Sequence, residues 1–390
     1  MQPIISLPNK RIGSIDILRG AVMVLMALDH TRDYFTNASY DPLDLSQTTP
    51  QLFLTRWITH FCAPVFVFLA GTSAYLSKVR RGSTKSMSWF LFTRGLWLVF
   101  IELTIVNWSW TFDITIYNFF LQVIWAIGLS MMALSLLIYL KPLHVGIVGL
   151  SIILLHNSLD GIHAESLGSF GTVWKILHEQ GFIPWGINRG VFVAYPVLPW
   201  IGVMACGYAF GMVYQRPIEK RIKILFVLGG VCFLLFLILR GFNIYGNPTP
   251  RHSYDVWWKT VLNFMDCRKY PPSLLYVLMT IGPAFWILGL LEKVKNKFSD
   301  VLTVYGNVPF FYYVLHIPLI HIIALWVAWI GKYSTDTLIG LNLFQPNPNW
   351  GFGLGVVYLV WIIVIIILYF PCKWYMNVKK KKKNWWLSYL

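Results

Sequence analysis

The sequence predicts an all-α fold: a polytopic integral membrane helix bundle of about ten transmembrane helices, with both termini in the cytoplasm. Three observations predict it. The 390 residues are 57% hydrophobic and 12% charged, with a mean hydropathy of +0.60, outside the range of soluble globular chains. Apolar runs of membrane-spanning length recur between short polar loops and do not alternate as barrel strands would. The net charge of +16 sits in every second loop: 20 of the 32 basic residues fall there, from Lys10 and Arg11 through Lys78, Arg80, Arg81 and Lys85 to Lys379–Lys383. That is the positive-inside pattern, so the charge marks topology and lipid contact rather than nucleic-acid binding.

The first span, 14–34, reads SIDILRGAVMVLMALDHTRDY and carries Asp16, Arg19, Asp29 and His30. Ionisable groups at bilayer depth are costly and face a protein interior or a water-filled cavity. Arg19 and His30 are close to three helical turns apart, which puts both on one stripe, roughly 16 Å apart along the axis. A permanent cation and a titratable imidazole therefore line one cavity. A structural alternative stands beside this: Asp16 and Arg19 pair with each other and His30 caps the helix at the interface. The residues before this span lack the apolar core of a signal peptide, so the span itself is expected to direct insertion.

The second span, 52–77, puts Arg56 and His60 on one face, ahead of Pro64 and the run Ala70-Gly71-Thr72-Ser73-Ala74, whose small side chains let another helix approach closely. His60 fits a structural hydrogen bond or a functional site. The third, 88–108, holds Arg94 and Glu102, too far apart to pair, so each seeks another helix or a substrate. Spans 119–140 and 143–157 meet at the tight turn Lys141-Pro142. The sixth, 191–215, opens with Tyr195-Pro196-Val197-Leu198-Pro199-Trp200, where two prolines free backbone carbonyls and unwind the helix start. Spans 223–240 and 272–291 are apolar, the latter capped by Lys269-Tyr270-Pro271-Pro272-Ser273. The ninth, 305–330, is the most polar, with Asn307, Tyr312, Tyr313, His316 and His321. There Asn307 suits donation to a carbonyl or oxyanion, and His316 lies beside Pro318. Each also fits an interhelical hydrogen bond. Span 351–372 closes the series.

Segments 172–180 and 254–264 read as short amphipathic helices at the membrane interface. No composition shift divides the chain, so 1–390 reads as a single domain. The five cysteines form no CxxC pattern, and no disulfide or metal framework is expected.

Several stretches carry a family resemblance: MALDHTRDYF, TRWITHFCAPVFVFLAGTSAYL, LQVIWAIGLSM, YPVLPWIGVMACGYAFG, KYPPSLLYVLMTIGPA and YGNVPFFYYVLHIPLIH. With Asp16-Ile17-Leu18-Arg19-Gly20 and His30 at their head, they resemble membrane acyltransferases that modify extracytoplasmic sugars. More narrowly, they are similar to bacterial proteins grouped with the heparan-alpha-glucosaminide N-acetyltransferase catalytic domain. The resemblance implies a multi-pass protein of the bacterial inner membrane that transfers acetyl groups from cytoplasmic acetyl-CoA to a polar acceptor outside, a sugar or glycan, without a metal.

Carried over by residue, it marks Asp16, Arg19 and Gly20 by motif and His30 as the histidine at the acetyl group. The eukaryotic sugar N-acetyltransferases have their active histidine in the loop before the second span. Here that loop holds Asn37-Ala38-Ser39, which leaves His30 favoured and His60 in reserve. An imidazole suits proton abstraction near neutrality, with Asp29 or Asp33 as candidates to orient it. Arg19 with Asp16, Arg94, Arg80 and Arg81 are candidates for holding the donor's phosphates, and Arg56, Asn307, His316 and Tyr313 for the substrate. Direct transfer and an acetyl-histidine intermediate both stay open. So does a homodimer. The alternative function is a proton-coupled small-molecule transporter or flippase using the same buried charges.

Overall fold

The computed structural model describes residues 12–113, 118–187, 189–340 and 349–382, with Asn384, Leu387 and Tyr389. It is 74% helix and 5% strand. The first helix, α1 (Gly13–Phe35), is followed by α2 (Pro50–Ile58), a 3-10 turn at Thr59–Phe61 and α3 (Cys62–Arg81). Next come α4 (Thr84–Ile101), a π-helical turn at Glu102–Val106 and α5 (Asn107–Thr111). Strand β1 (Asn118–Leu121) leads into α6 (Val123–Leu137), then α7 (Pro142–Leu155) and α8 (Gly171–Leu177). Strands β2 (Gly181–Gly186) and β3 (Arg189–Val193) precede α9 (Leu198–Phe210), α10 (Ile218–Gly241) and α11 (Trp257–Met265). The last four helices are α12 (Leu274–Leu291), α13 (Lys297–Asn307), α14 (Pro309–Ile330) and α15 (Leu354–Lys381).

Among the described residues, seven helical stretches are long and apolar enough to cross a membrane: Pro50–Arg81, Thr84–Thr111, Pro142–Leu159, Ile218–Gly241, Leu274–Leu291, Pro309–Ile330 and Leu354–Lys381. The chain is accordingly a multi-pass membrane protein. Helix α1 falls outside that set because of its charges, and the fold deals with them by surrounding it. It packs against α3, α12, α13, α14 and α15, so Asp16, Asp29 and Arg32 are buried in protein rather than presented to lipid. By contrast α10 and α15 turn long apolar faces outward, among them Leu234, Leu235, Ile362 and Ile366.

Close crossings depend on glycine where a side chain would not fit. A Cβ on Gly20 would sit 1.9 Å from the Leu302 carbonyl oxygen, and one on Gly306 would sit 1.8 Å from that of Asp16. This crossing presses α1 onto α13 and brings its polar face to the start of α14. The small-residue run in α3 behaves as the sequence predicts: a Cβ on Gly71 would lie 2.0 Å from the Met204 carbonyl oxygen in α9. At the N-terminal end of α1, Ser14 donates to Glu292 Oε1 at 2.8 Å, and the other carboxylate oxygen of Glu292 pairs with Arg221.

The structure departs from the expected spans in three places. Residues 189–193 form a strand, and the sixth long helix begins only at Leu198, with Pro199 in its first turn. Residues 118–121 are likewise a strand before α6. The three strands make a small sheet in the order β1-β3-β2, parallel between β1 and β3 and antiparallel between β3 and β2. It is the β element that an all-α reading omits. The expected ninth span is split: Val308 leaves helical geometry (φ −132°, ψ 48°) and Pro309 starts α14 afresh, so Gly306 and Asn307 end a separate half-helix. The two short amphipathic helices expected in the loops appear as α8 and α11.

Candidate functional site

Near the N-terminal end of α1 the bundle encloses a cavity of about 280 Å³ between α1, α3, α4, α6, α14 and the end of α15. Its wall is largely apolar, but three cations line it: Arg19, Arg94 and Lys379. Arg19 is held in place by Asp16 Oδ1 (3.2 Å), Ser73 Oγ (2.7 Å) and the Gly306 carbonyl (3.3 Å). The i, i+3 pair of the structural alternative therefore exists, and the same guanidinium still reaches the cavity. Arg80 and Arg81 are exposed at the end of α3. They do not line the cavity, although Arg81 lies over the Phe90 ring at 4.3 Å and Phe90 is a wall residue. Asn307 lines it too. Its amide N–H donates to the Thr303 carbonyl at 2.8 Å, which can only accept, so Oδ1 is the free end among the described residues. The second N–H of the same amide faces Met376 Sδ at 3.5 Å, a weak acceptor on α15.

Tyr313 forms part of the wall and links the cavity to a histidine pair. Its ring lies 5.3 Å from that of His316, and its hydroxyl has no hydrogen-bond partner among the described residues. His30 Nδ1 is 2.7 Å from His316 Nε2, and His316 Nδ1 is 2.6 Å from the Tyr313 carbonyl oxygen. The carbonyl fixes the protons. It can only accept, so His316 carries its proton on Nδ1 and, when neutral, presents a lone pair at Nε2. His30 must then donate from Nδ1, which leaves the lone pair on His30 Nε2. His316 is fully buried, His30 is half-buried, and Trp110 packs edge-on against His30 at 4.9 Å. His30 itself is not a wall residue of the cavity; Tyr313 and Met26 are.

The partner of His30 is thus His316, where the sequence suggested Asp29 or Asp33. Those carboxylates are engaged elsewhere. Asp29 accepts from Arg56 at 2.6 and 2.7 Å and from the Thr59 hydroxyl at 2.8 Å, and forms an ion pair with Arg32 at 2.8 Å. Asp33 is exposed and pairs with Arg32 at 2.5 Å. Arg56, a candidate for the substrate, is tied into this ionic cluster. His60 lies beside it, edge-on to Tyr276 at 5.5 Å, with neither ring nitrogen hydrogen-bonded among the described residues. Glu102, in the π-helical turn, accepts from the Gln122 backbone N–H at 2.8 Å.

Ser73, Lys379 and Lys269 were read from the sequence only as packing, topology and capping residues, not as candidates for the site. Lys269 is buried, sits 5.0 Å from the Tyr270 ring centre and acts electrostatically on Asp29, His30 and His60. The signal for Ser73 was its place one helical turn from Ala70 in the small-residue run. Lys379 was hidden in a basic run with an evident topological role.

No curated protein matches the chain. The family model described as heparan-alpha-glucosaminide N-acetyltransferase, catalytic, matches residues 11–243, a stretch that begins just before α1 and ends just after α10. That match takes in His30, Arg19 and Arg94 and more than half of the sequence, and with it the chain belongs to the heparan-alpha-glucosaminide N-acetyltransferase catalytic family, a family of transmembrane acetyltransferases.

Proposed function

We propose that the protein transfers an acetyl group from cytoplasmic acetyl-CoA to a hydroxyl or amine on a sugar or glycan at the opposite side of the membrane. In this reading it is one membrane domain. Helices α1, α6 and α9 cross with the seven apolar stretches to make ten crossings, and the basic loops put both termini and the Lys379 mouth in the cytoplasm. The cavity, at about 280 Å³, accommodates an acyl-bearing thioester arm but not a whole nucleotide. The nucleotide phosphates stay at the mouth, where Lys379, Arg80 and Arg81 supply positive charge, while Arg19 and Arg94 line the passage.

The observation that carries this reading is the relay from the Tyr313 carbonyl through His316 to His30, which ends in a lone pair on His30 Nε2. That nitrogen takes the proton from the attacking acceptor as the acceptor oxygen or nitrogen bonds to the thioester carbonyl. The Tyr313 hydroxyl, free to donate, stabilises the developing oxyanion. Collapse expels the thiolate, which recovers the proton from His30. The same lone pair serves an acetyl-histidine route. Tyr313 and Met26 line the cavity and His30 does not, so in this reading the wall shifts for the thioester to reach the imidazole.

The test is acetyl transfer by purified protein in detergent or nanodiscs, followed as CoA release against a panel of amino sugars and glycans. His30→Ala is expected to lower turnover by about 10²–10⁴-fold, the usual worth of a general base, with an unchanged unfolding temperature. His316→Gln, which keeps a hydrogen-bond partner but not the imidazole relay, is expected to lower kcat and displace the pH profile while leaving KM for acetyl-CoA alone. Undiminished turnover in His30→Ala removes the proposal.

A further inference from the structure

The C-terminal end of α7 carries a second cluster of ligating side chains, separate from α1 and unused by the acetyl-transfer reading. His156 and His178 are both buried, at 2% and 3% exposure, and Asp160 lies beside them. His156 Nδ1 is 3.3 Å from His178 Nε2, which in turn is 3.8 Å from Asp160 Oδ1. The three ligand atoms all lie within 4.8 Å of one another. Hydrogen bonding alone places these rings poorly. The 3.3 Å separation is long for N–H···N, and His156 Nε2 has no hydrogen-bond partner among the described residues; His178 Nε2–H donates to the His156 carbonyl at 2.9 Å, a proton that a bound cation would displace.

A tetrahedral cation accounts for the spacing. With metal–nitrogen bonds of about 2.0–2.1 Å, two ligands at the tetrahedral angle stand roughly 3.3 Å apart. We propose that His156, Asp160 and His178 bind a divalent transition-metal ion of the zinc class. Two imidazoles and one carboxylate favour zinc, cobalt or nickel over magnesium or calcium, which want oxygen donors. The surrounding contacts fix the ligands as an outer shell does. Asn157 Nδ2 holds the second oxygen of Asp160 at 2.9 Å, and the Trp174 ring stacks on His178 at 5.1 Å. Three protein ligands leave one position for water.

The ion joins separate parts of the chain. His156 and Asp160 follow α7, His178 follows α8, and Asn157 Oδ1 accepts the Leu274 N–H at 2.9 Å at the start of α12. A cation there fastens the segment that runs through β2 and β3 to Tyr195, whose hydroxyl meets that of Tyr270 at 3.4 Å. Its role is to anchor that segment; it takes no part in acetyl transfer.

The experiment uses full-length, tag-free protein in detergent, stripped with a chelator and dialysed. Titration with Co²⁺ is expected to produce the visible absorption of a low-coordinate cobalt site at one equivalent per chain, displaced by Zn²⁺ and unaffected by Mg²⁺. Zn²⁺ is expected to raise the unfolding temperature of the stripped protein. Asp160→Asn, which keeps the shape, is expected to weaken Co²⁺ binding by more than the roughly 10–100-fold that loss of an outer-shell partner costs, and His178→Ala to abolish it. No cobalt spectrum and no Zn²⁺-dependent stabilisation in the wild-type chain overturn the proposal. So does an identical cobalt spectrum in His178→Ala, which places the ion elsewhere.

Discussion

At the N-terminal end of α1, Arg19 is paired with Asp16 yet still lines an open cavity with Arg94 and Lys379. At the C-terminal end, Asp29 is enclosed by Arg56, Arg32 and Thr59, and the charges there satisfy one another. The residue types are the same and the helix is the same. What differs is where the charges face: at one end they pack against one another inside the bundle, and at the other Arg19, Arg94 and Lys379 line a cavity. The ionic cluster is therefore structure, and it holds rigid the end of the helix from which His30 projects. The cavity end presents cationic side chains to an open space, where the anionic donor of the proposed reaction would meet them.

Breaking the enclosed end is expected to have the largest effect. Asp29→Ala strips Arg56 and Arg32 of their shared carboxylate inside the bundle, and removing one partner of a buried pair costs about 3–5 kcal/mol. The measurement is thermal or denaturant unfolding of the purified variant beside wild type. A loss below about 1 kcal/mol, the range of a solvent-exposed pair, would mean that water reaches the cluster and that the contrast between the two ends is false.

The sequence made α1 legible because charge in an apolar run is rare and its spacing can be read as a face. It also showed where α3 would be approached closely, since Gly71 and its neighbours have no other evident use. Partners were not legible. His30 and His316 are 286 positions apart, and periodicity gives the face of each helix but not the height at which two helices meet. For the same reason the carboxylate that meets Arg56 from α1 and the Thr303 carbonyl that takes one N–H of Asn307 were not readable from spacing. The sheet escaped because Phe182, Trp185 and Phe192 are as apolar as a span, and the pairing of β1 with β3 joins residues some seventy positions apart.

A milder test probes the open end. Lys379→Gln removes one of the three cations that line the cavity among the described residues. The expected outcome is a five- to tenfold rise in KM for acetyl-CoA, roughly 1 kcal/mol, with kcat and the unfolding temperature within error of wild type. The same variant should show a shallower salt dependence of KM, because one of the cation–phosphate interactions is gone. A loss of stability instead would class Lys379 with the enclosed charges of the far end.

The smallest effect sharpens the comparison from outside the spans. Asp266 is a partly buried carboxyl which, unlike Asp29, makes no ion pair among the described residues. The nearest guanidinium, Arg240, is spent on the carbonyls of Phe264, Thr249, Asn263 and Asp266. Burial pushes its pKa up to about 6, and Arg240 pulls it back only in part. A raised carboxyl pKa means that the folded chain holds the proton more tightly than the unfolded one. Its contribution to stability is therefore present below the ordinary carboxylate range and is lost as pH rises toward 6. Asp266→Asn removes this dependence: unfolding temperatures of variant and wild type should coincide near pH 4 and diverge above pH 6, with the variant the more stable. If the two curves stay parallel across that window, burial without a paired charge is not what distinguishes Asp266 from Asp29, and pairing loses its place as the variable that separates the two ends of α1.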